Sequence, residues 1–260
     1  MKQTTIPYIP ALADLYSELT KLTTPSRDNA ETQVRNLLRK ASPGIEISAC
    51  TWRTSEPDGA GKPLGTVKAG LKMGYSGTVL GLLYTLEGDE LLVRHTQDWD
   101  MVCQDSCVEC FIAAEPDASA YVNLEFNPLG TCWAQIGTDR KHREKLSIKA
   151  VSTIFRRGLI TTKAMDAGAI YGENRFRWEM LVMFPLQEVG VLAKTINQIS
   201  VQNAGAGCNA AMLEGIRLRA NFYTTGDDLQ KPVYQSWCAV DTPAPDFHQP
   251  GYFGTMVFGR

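Results

Sequence analysis

The stretch Gln104–Thr131, QDSCVECFIAAEPDASAYVNLEFNPLGT, reads as two strands joined by a turn. Ser106, Val108, Cys110 and Ile112 alternate with Cys107, Glu109 and Phe111, and then Val122, Leu124 and Phe126 alternate with Tyr121, Asn123, Glu125 and Asn127. A period of two assigns one face of each strand to packing and leaves the other free. Glu115-Pro116-Asp117 is turn chemistry between them, because proline presets φ and an aspartate bonds its own backbone. The free face collects Glu109, Asn123, Glu125 and Asn127. Paired strands lie about 4.8 Å apart, so the spacing predicts one patch of carboxylates and amides.

Outward from this hairpin the same period recurs. From Ile45 on, alternation predicts strands near 45–52, 66–74, 78–86 and 90–96, with turns at Glu56-Pro57-Asp58-Gly59 and Glu87-Gly88-Asp89. After the hairpin come strands near 132–137, 147–154, 175–184, 215–223, 233–239 and 254–258. Residues 186–213 read as a short helix followed by a loop, Asn203 to Asn209. Two helices open the chain. The first has Leu12, Leu15, Tyr16, Leu19 and Leu22 at helical spacing; the second begins at an Asp28/Glu31 capping box, has Val34, Leu37 and Leu38 as its apolar stripe, and stops at Pro43-Gly44. They are expected to cover an edge or end of a sheet. Many short strands without alternating helices predict an all-β fold, an antiparallel β-sandwich of jelly-roll or immunoglobulin-like kind with N-terminal helical additions. On this reading 1–44 is a helical extension packed on a sandwich formed by 45–260.

A length of 260 residues and a formal charge of −2 give no electrostatic case for nucleic acid or an anionic membrane. No apolar run approaches a membrane span, and MKQTTIPYIP lacks the apolar centre of a signal peptide. Seven cysteines cannot all pair with one another. Buried thiols in a reducing, cytoplasmic compartment are therefore favoured over a secreted chain whose leader has been removed.

Several constellations point to chemistry. Cys103, Cys107 and Cys110 have an iron–sulfur spacing, but Cys107 and Cys110 fall on opposite faces of a predicted strand, so buried thiols are the better reading. Glu109 and Glu125 could be a glycosidase pair, since neighbouring strands supply the required separations. Carboxylates among amides and arginines are more often binding or structural groups. In the strand Ile216–Tyr223, Arg217, Arg219, Asn221 and Tyr223 share one face. Set beside the hairpin, it would complete a floor of Glu109, Asn123, Glu125, Asn127, Arg219 and Asn221, with donors and acceptors suited to a ring of hydroxyls. A charge network that fixes sheet register is the bland counterpart. Of five tryptophans, Trp99 in a polar loop and Trp237 beside polar positions are the candidates for stacking on a sugar ring. Asp98, Asp100 and Asp105 could help hold Ca²⁺, though a solvated acidic loop is simpler. No other metal or cofactor is indicated.

Three blocks carry a family resemblance: QDSCVECFI at 104–112; YVNLEFNPLGTCWAQIG at 121–137 followed by Arg140 and Arg143; and RANFYTTGDD at 219–228, leading to QSW at 235–237 and PDFHQPGYFGTMVF at 245–258. In their order the chain resembles the family 9 carbohydrate-binding modules, specifically their single-domain bacterial relatives, over about 45–260. The resemblance implies a β-sandwich, a sugar-binding face and no catalysis, with calcium bound in some members of the wider group. The expected function is non-catalytic binding of a mono- or oligosaccharide. A glycoside hydrolase using Glu109 and Glu125, or a structural or protein-interaction sandwich, are the alternatives.

Overall fold

The computed structural model describes residues 1–21, 25–41, 43–50, 52, 64–161, 170–202 and 213–260. In chain order the elements begin with β1 (Gln3–Ile6), α1 (Leu12–Lys21), α2 (Ser26–Lys40), β2 (Ile45–Glu46), β3 (Lys68–Ser76) and β4 (Val79–Leu91). The central hairpin is β5 (Cys107–Ala113) and β6 (Tyr121–Phe126), followed by β7 (Cys132–Gly137), β8 (Arg143–Lys145), α3 (Ile148–Ser152) and β9 (Phe155–Ile160). The chain closes with β10 (Ile170–Pro185), α4 (Ala193–Gln202), β11 (Arg217–Gly226), β12 (Val233–Ser236) and β13 (Gly254–Phe258).

These strands form two sheets. One runs β1-β13-β11-β5-β6-β7-β8, with β12 also paired to β11; the other runs β2-β3-β4-β10-β9. The apolar residues of the hairpin face the space between them. Val108, Cys110, Ile112, Val122, Leu124 and Phe126 pack with Leu82, Tyr84, Trp178, Met180 and Val182 of the facing sheet. The sandwich is therefore antiparallel as expected, apart from β1, which pairs in parallel with β13.

The opening helices exist where their stripes placed them, but they cover a face of the smaller sheet rather than an edge. Leu12, Leu15 and Leu19 of α1 and Val34 and Leu38 of α2 pack on Val79, Leu83, Leu181 and Met183. Strands β4 and β10 are thus buried on both sides, which is why they read as near-continuous apolar runs. Asp28 lies within the first turn of α2 and does not cap it.

Three further expectations fail. Glu87-Gly88-Asp89 is not a turn: β4 runs straight through it, with Gly88 opposite Phe176. A Cβ on Gly88 would lie 3.0 Å from that ring, so this glycine serves close approach rather than chain reversal. Only Glu90 and Leu91 of the strand expected at 90–96 belong to a strand, the last two residues of β4. The strand expected at 147–154 is replaced by the helix α3, Ile148–Ser152, whose N-cap Ser147 accepts from the Ala150 N–H at 3.1 Å. The expected Glu56–Gly59 turn and Asn203–Asn209 loop lie outside the described residues.

One ion-pair cluster ties α2 to the sheet beneath it. Glu179 of β10 accepts from Arg35 at 3.2 Å and from Arg39 at 2.7 Å, and Arg35 also bonds the Arg157 carbonyl at 2.9 Å. The Arg35 side chain is 4% exposed and that of Arg39 44%. Removing the buried guanidinium strips a desolvated carboxylate of one partner, whereas the exposed one is largely exchangeable with water. Arg35→Leu is expected to cost about 3 kcal/mol in urea unfolding, and Arg39→Leu less than about 1 kcal/mol.

Candidate functional site

The other face of the larger sheet carries the polar half of the hairpin. Register sets Glu109 directly opposite Glu125, and Phe111 opposite Asn123. On the other side of β5 lies β11, with Tyr223 opposite Glu109 and Asn221 opposite Phe111. The placement of the arginine-bearing strand beside the hairpin is therefore realised. This face is not open, however. Val240, Phe247 and Phe253 from the C-terminal segment pack over Phe111, Tyr121 and Tyr223, and the Tyr223 and Phe247 rings stack at 4.1 Å. Every residue of β5 and β6 is buried.

A cavity of about 250 Å³ remains at the Glu109–Glu125 pair. Thr225 and Asp227 at the end of β11, Arg140 from the β7–β8 turn and Cys103 also border it. Tyr234, Pro245, Phe247 and His248 complete its wall among the described residues. The Thr225 hydroxyl donates to Glu109 Oε1 at 2.8 Å, and the Asn123 amide donates to Glu125 Oε1 at 2.8 Å. Arg140 Nε pairs with Asp246 at 3.0 Å. Arg143 lies 2.7 Å from His248 Nδ1 and donates to Tyr121 Oη at 3.2 Å.

Burial dominates the electrostatics. Desolvation, then the facing Glu125, raises Glu109 well above the usual carboxylate range. Desolvation pushes Glu125 up to about 7, against the opposing pull of the Asn123 amide and the Arg143 charge. Asp227 is raised by burial too, although hydrogen bonds from Tyr234 and Cys103 favour its charged form. His248 is lowered to about 3 by burial and then by the charges of Arg143 and Arg140, which leaves its ring neutral.

Of the residues singled out in the sequence, Glu109 and Glu125 border the cavity, and Asn123 supports Glu125 from beside it. The others are held elsewhere. Asn127 bonds the His95 carbonyl and Asp105 and accepts from the Leu129 and Thr131 amides, tying the end of β6 to the loop before β5. Asn221 clamps the backbone of Cys238. Arg219 reaches the carbonyls of Gly251 and Phe253, and Arg217 reaches Gln3, so the guanidiniums near the acids are Arg140 and Arg143 instead. Trp237 is 3% exposed and packs on Phe222 between the sheets. Trp99 has φ +67°, donates its backbone N–H to the Cys132 carbonyl and faces Lys145 with its ring.

The acids considered for Ca²⁺ are separately engaged. Asp105 accepts from the Arg94 and His95 amides, Asp98 pairs with Arg156, and Asp100 caps Thr96 and Gln97. Among the described residues no three His, Cys, Asp or Glu side chains are placed to hold a metal ion. Cys107 and Cys110 are buried free thiols; Cys110 alone of the two joins the inter-sheet core.

Thr225 was legible, since continuing the alternation of β11 two residues beyond Tyr223 puts it on the same face. Asp227, Phe247 and His248 fall inside the blocks that carry the family resemblance. Arg140 follows another block. None of these four obeys a periodicity, because loops deliver them.

A family model for carbohydrate-binding family 9 matches residues 66–258. Among solved structures, a candidate carbohydrate-binding protein from Bacteroides uniformis ATCC 8492 is similar with a TM-score of 0.69 at 20% identity, covering 99% of each chain. A family 9 module from Caldicellulosiruptor kristjanssonii in complex with glucose gives 0.47 at 12% identity, covering 100% of this chain and 97% of that one. A cellotriose complex of a family 9 module from the same organism gives 0.47 at 10%, with 100% and 95% covered. No curated protein sequence matches significantly. Among the described residues no helix is long and apolar enough to cross a membrane. The family match extends over well more than half of the sequence and includes every residue that borders the cavity: this chain belongs to carbohydrate-binding family 9.

Proposed function

We propose that this cavity seats one sugar residue of a carbohydrate ligand and that the protein binds it without transforming it. The observation that carries the reading is the convergence of Glu109, Glu125, Asp227, Thr225 and Arg140 on a single small hollow with an aromatic wall. Carboxyl, hydroxyl and guanidinium groups on rigid strands and a tight turn match the hydroxyls of a pyranose, while Tyr234 and Phe247 offer surface to its C–H groups. A volume of about 250 Å³ corresponds to about eight water molecules of liquid, the scale of a single hexose. Asn123, Asn127, Asn221 and Arg219 act in this reading as the frame that holds strand ends and the covering loop, and Trp237 and Trp99 as packing.

Non-catalytic binding is favoured over hydrolysis by the size of the hollow. Cleaving a glycosidic bond requires the sugars on both sides of it to be seated, with one carboxyl ionised and the other protonated. Here burial raises both members of the pair. An aryl glycoside incubated with the protein is expected to release no phenol. Calorimetry against mono- and oligosaccharides is expected to detect binding, and Glu109→Gln to weaken it by about 10-fold to 100-fold, the range for one hydrogen bond to a charged or strongly polarised group. Unchanged affinity with an intact fold would remove Glu109 from the site.

The same burial sets a pH dependence of stability. A carboxyl whose pKa is raised on folding keeps its proton in the native state while the unfolded chain releases it, so stability falls as pH rises between the two values. His248 acts oppositely: lowered to about 3, it adds stability as pH rises toward its unfolded value. The two effects oppose each other below about pH 6.5. Above that pH only the carboxyl protons contribute. Wild-type protein is expected to lose up to about 2 kcal/mol per retained proton between pH 6.5 and 8 in denaturant titrations. Glu109→Gln should flatten that decline.

A further inference from the structure

Among the described residues the cavity holds more acid than its bases offset. Three of the bordering side chains are carboxylic acids, Glu109, Glu125 and Asp227, and two are bases, Arg140 and His248, of which burial keeps His248 neutral. Arg140 is already paired with Asp246, and its side chain is 59% exposed. Arg143, the other guanidinium in range of Glu125, is engaged by the Tyr121 hydroxyl and the His248 ring. Among the described residues the hydrogen bonds made to the three acids come from neutral donors: a hydroxyl on Glu109, an amide on Glu125, and a phenol and a thiol on Asp227. The two glutamates are only 3% and 7% exposed, so water does little to screen them.

A neutral sugar can hydrogen-bond such groups, but it brings no positive charge that would let the buried acids ionise. A primary ammonium supplies three donors and a positive charge at one point. Resting on the carbohydrate reading above, we propose that the sugar seated here is an amino sugar, its protonated amine held among Glu109, Glu125 and Asp227. The remaining ring hydroxyls face Arg140 and Thr225.

This arrangement has a proton signature. Without a cation, burial suppresses the ionisation of both glutamates, and the Glu125 charge adds to that at Glu109. An arriving ammonium reverses the preference, so binding expels protons from the pair. Affinity then rises with pH through neutrality until the amine loses its own proton. The other titratable groups packed around the pair do not reverse this sign. Tyr223 of β11 and Cys107 of β5 are raised by burial and stay neutral, as does Cys103. His248 is neutral as well, and the nearby guanidiniums remain charged throughout.

The test is calorimetry of the full chain with glucose, glucosamine and N-acetylglucosamine, each as the free sugar and as its β-1,4-linked trimer. Titrations are repeated in two buffers of different ionisation enthalpy. The expected result is at least 10-fold tighter binding of the free-amine sugar than of the other two, with release of about one proton per site and affinity increasing from pH 5.5 to 7. Asp227→Asn, verified folded by circular dichroism, should narrow that preference several-fold; the proton count on the wild-type chain tests the idea without any variant. Equal or tighter binding of glucose or N-acetylglucosamine, or binding of glucosamine without proton release, overturns the amino-sugar assignment and leaves carbohydrate binding intact. No binding of any of the six at millimolar concentration overturns both.

Discussion

The pairing register of β5 against β6 is the constraint on which the rest depends. It sets Val108, Cys110 and Ile112 across from Phe126, Leu124 and Val122 on the core face, and Glu109 across from Glu125 on the other. Because side chains alternate with a period of two, a slip of either strand by one residue would drive its carboxyl into the apolar space between the sheets and expel its three apolar side chains from it. The cost of that error, in buried charge and lost apolar area, is what keeps the acids facing one another. The site is thus a by-product of packing: the same register that closes the core presents the pair.

Presentation alone would have left the acids in open solvent with ordinary titration behaviour. What changes their chemistry is the C-terminal segment, which returns over the sheet and buries Phe111, Tyr121 and Tyr223 beneath Phe247 and Phe253. Asn221 and Arg219 hold this return by its backbone, at Cys238 and at Gly251 and Phe253 respectively. Their polar character serves the roof rather than the cavity. A buried amide that satisfies both an N–H and a C=O of a passing loop substitutes for strand pairing where none is available.

The smaller sheet shows the complementary arrangement. The part of its outer face beneath α1 and α2 is apolar at Val79, Leu83, Leu181 and Met183, beside Glu179 and its arginine partners. Burial on both faces stiffens β4 and β10, and the larger sheet rests on them.

Much of this was legible in the residues themselves. Alternation in 104–131 identified the hairpin, its core face and the Glu109–Glu125 pair, because a strand's inside and outside are written two residues apart. Helical spacing identified α1 and α2, and dense short strands identified the sandwich. Local pattern failed where a residue serves a distant neighbour. Gly88 makes room for Phe176, Ser147 caps a helix where a strand was expected, and Asn127, Asn221 and Arg219 spend their polar atoms on backbone far away in sequence. The sequence by itself determined the sheet class and which two acids would meet. Only the tertiary structure decided that they would be roofed over, that Arg140, Asp227 and His248 would join them, and that Trp99 and Trp237 would not. Those outcomes depend on loops whose paths are set by contacts across the whole chain and carry no period of their own.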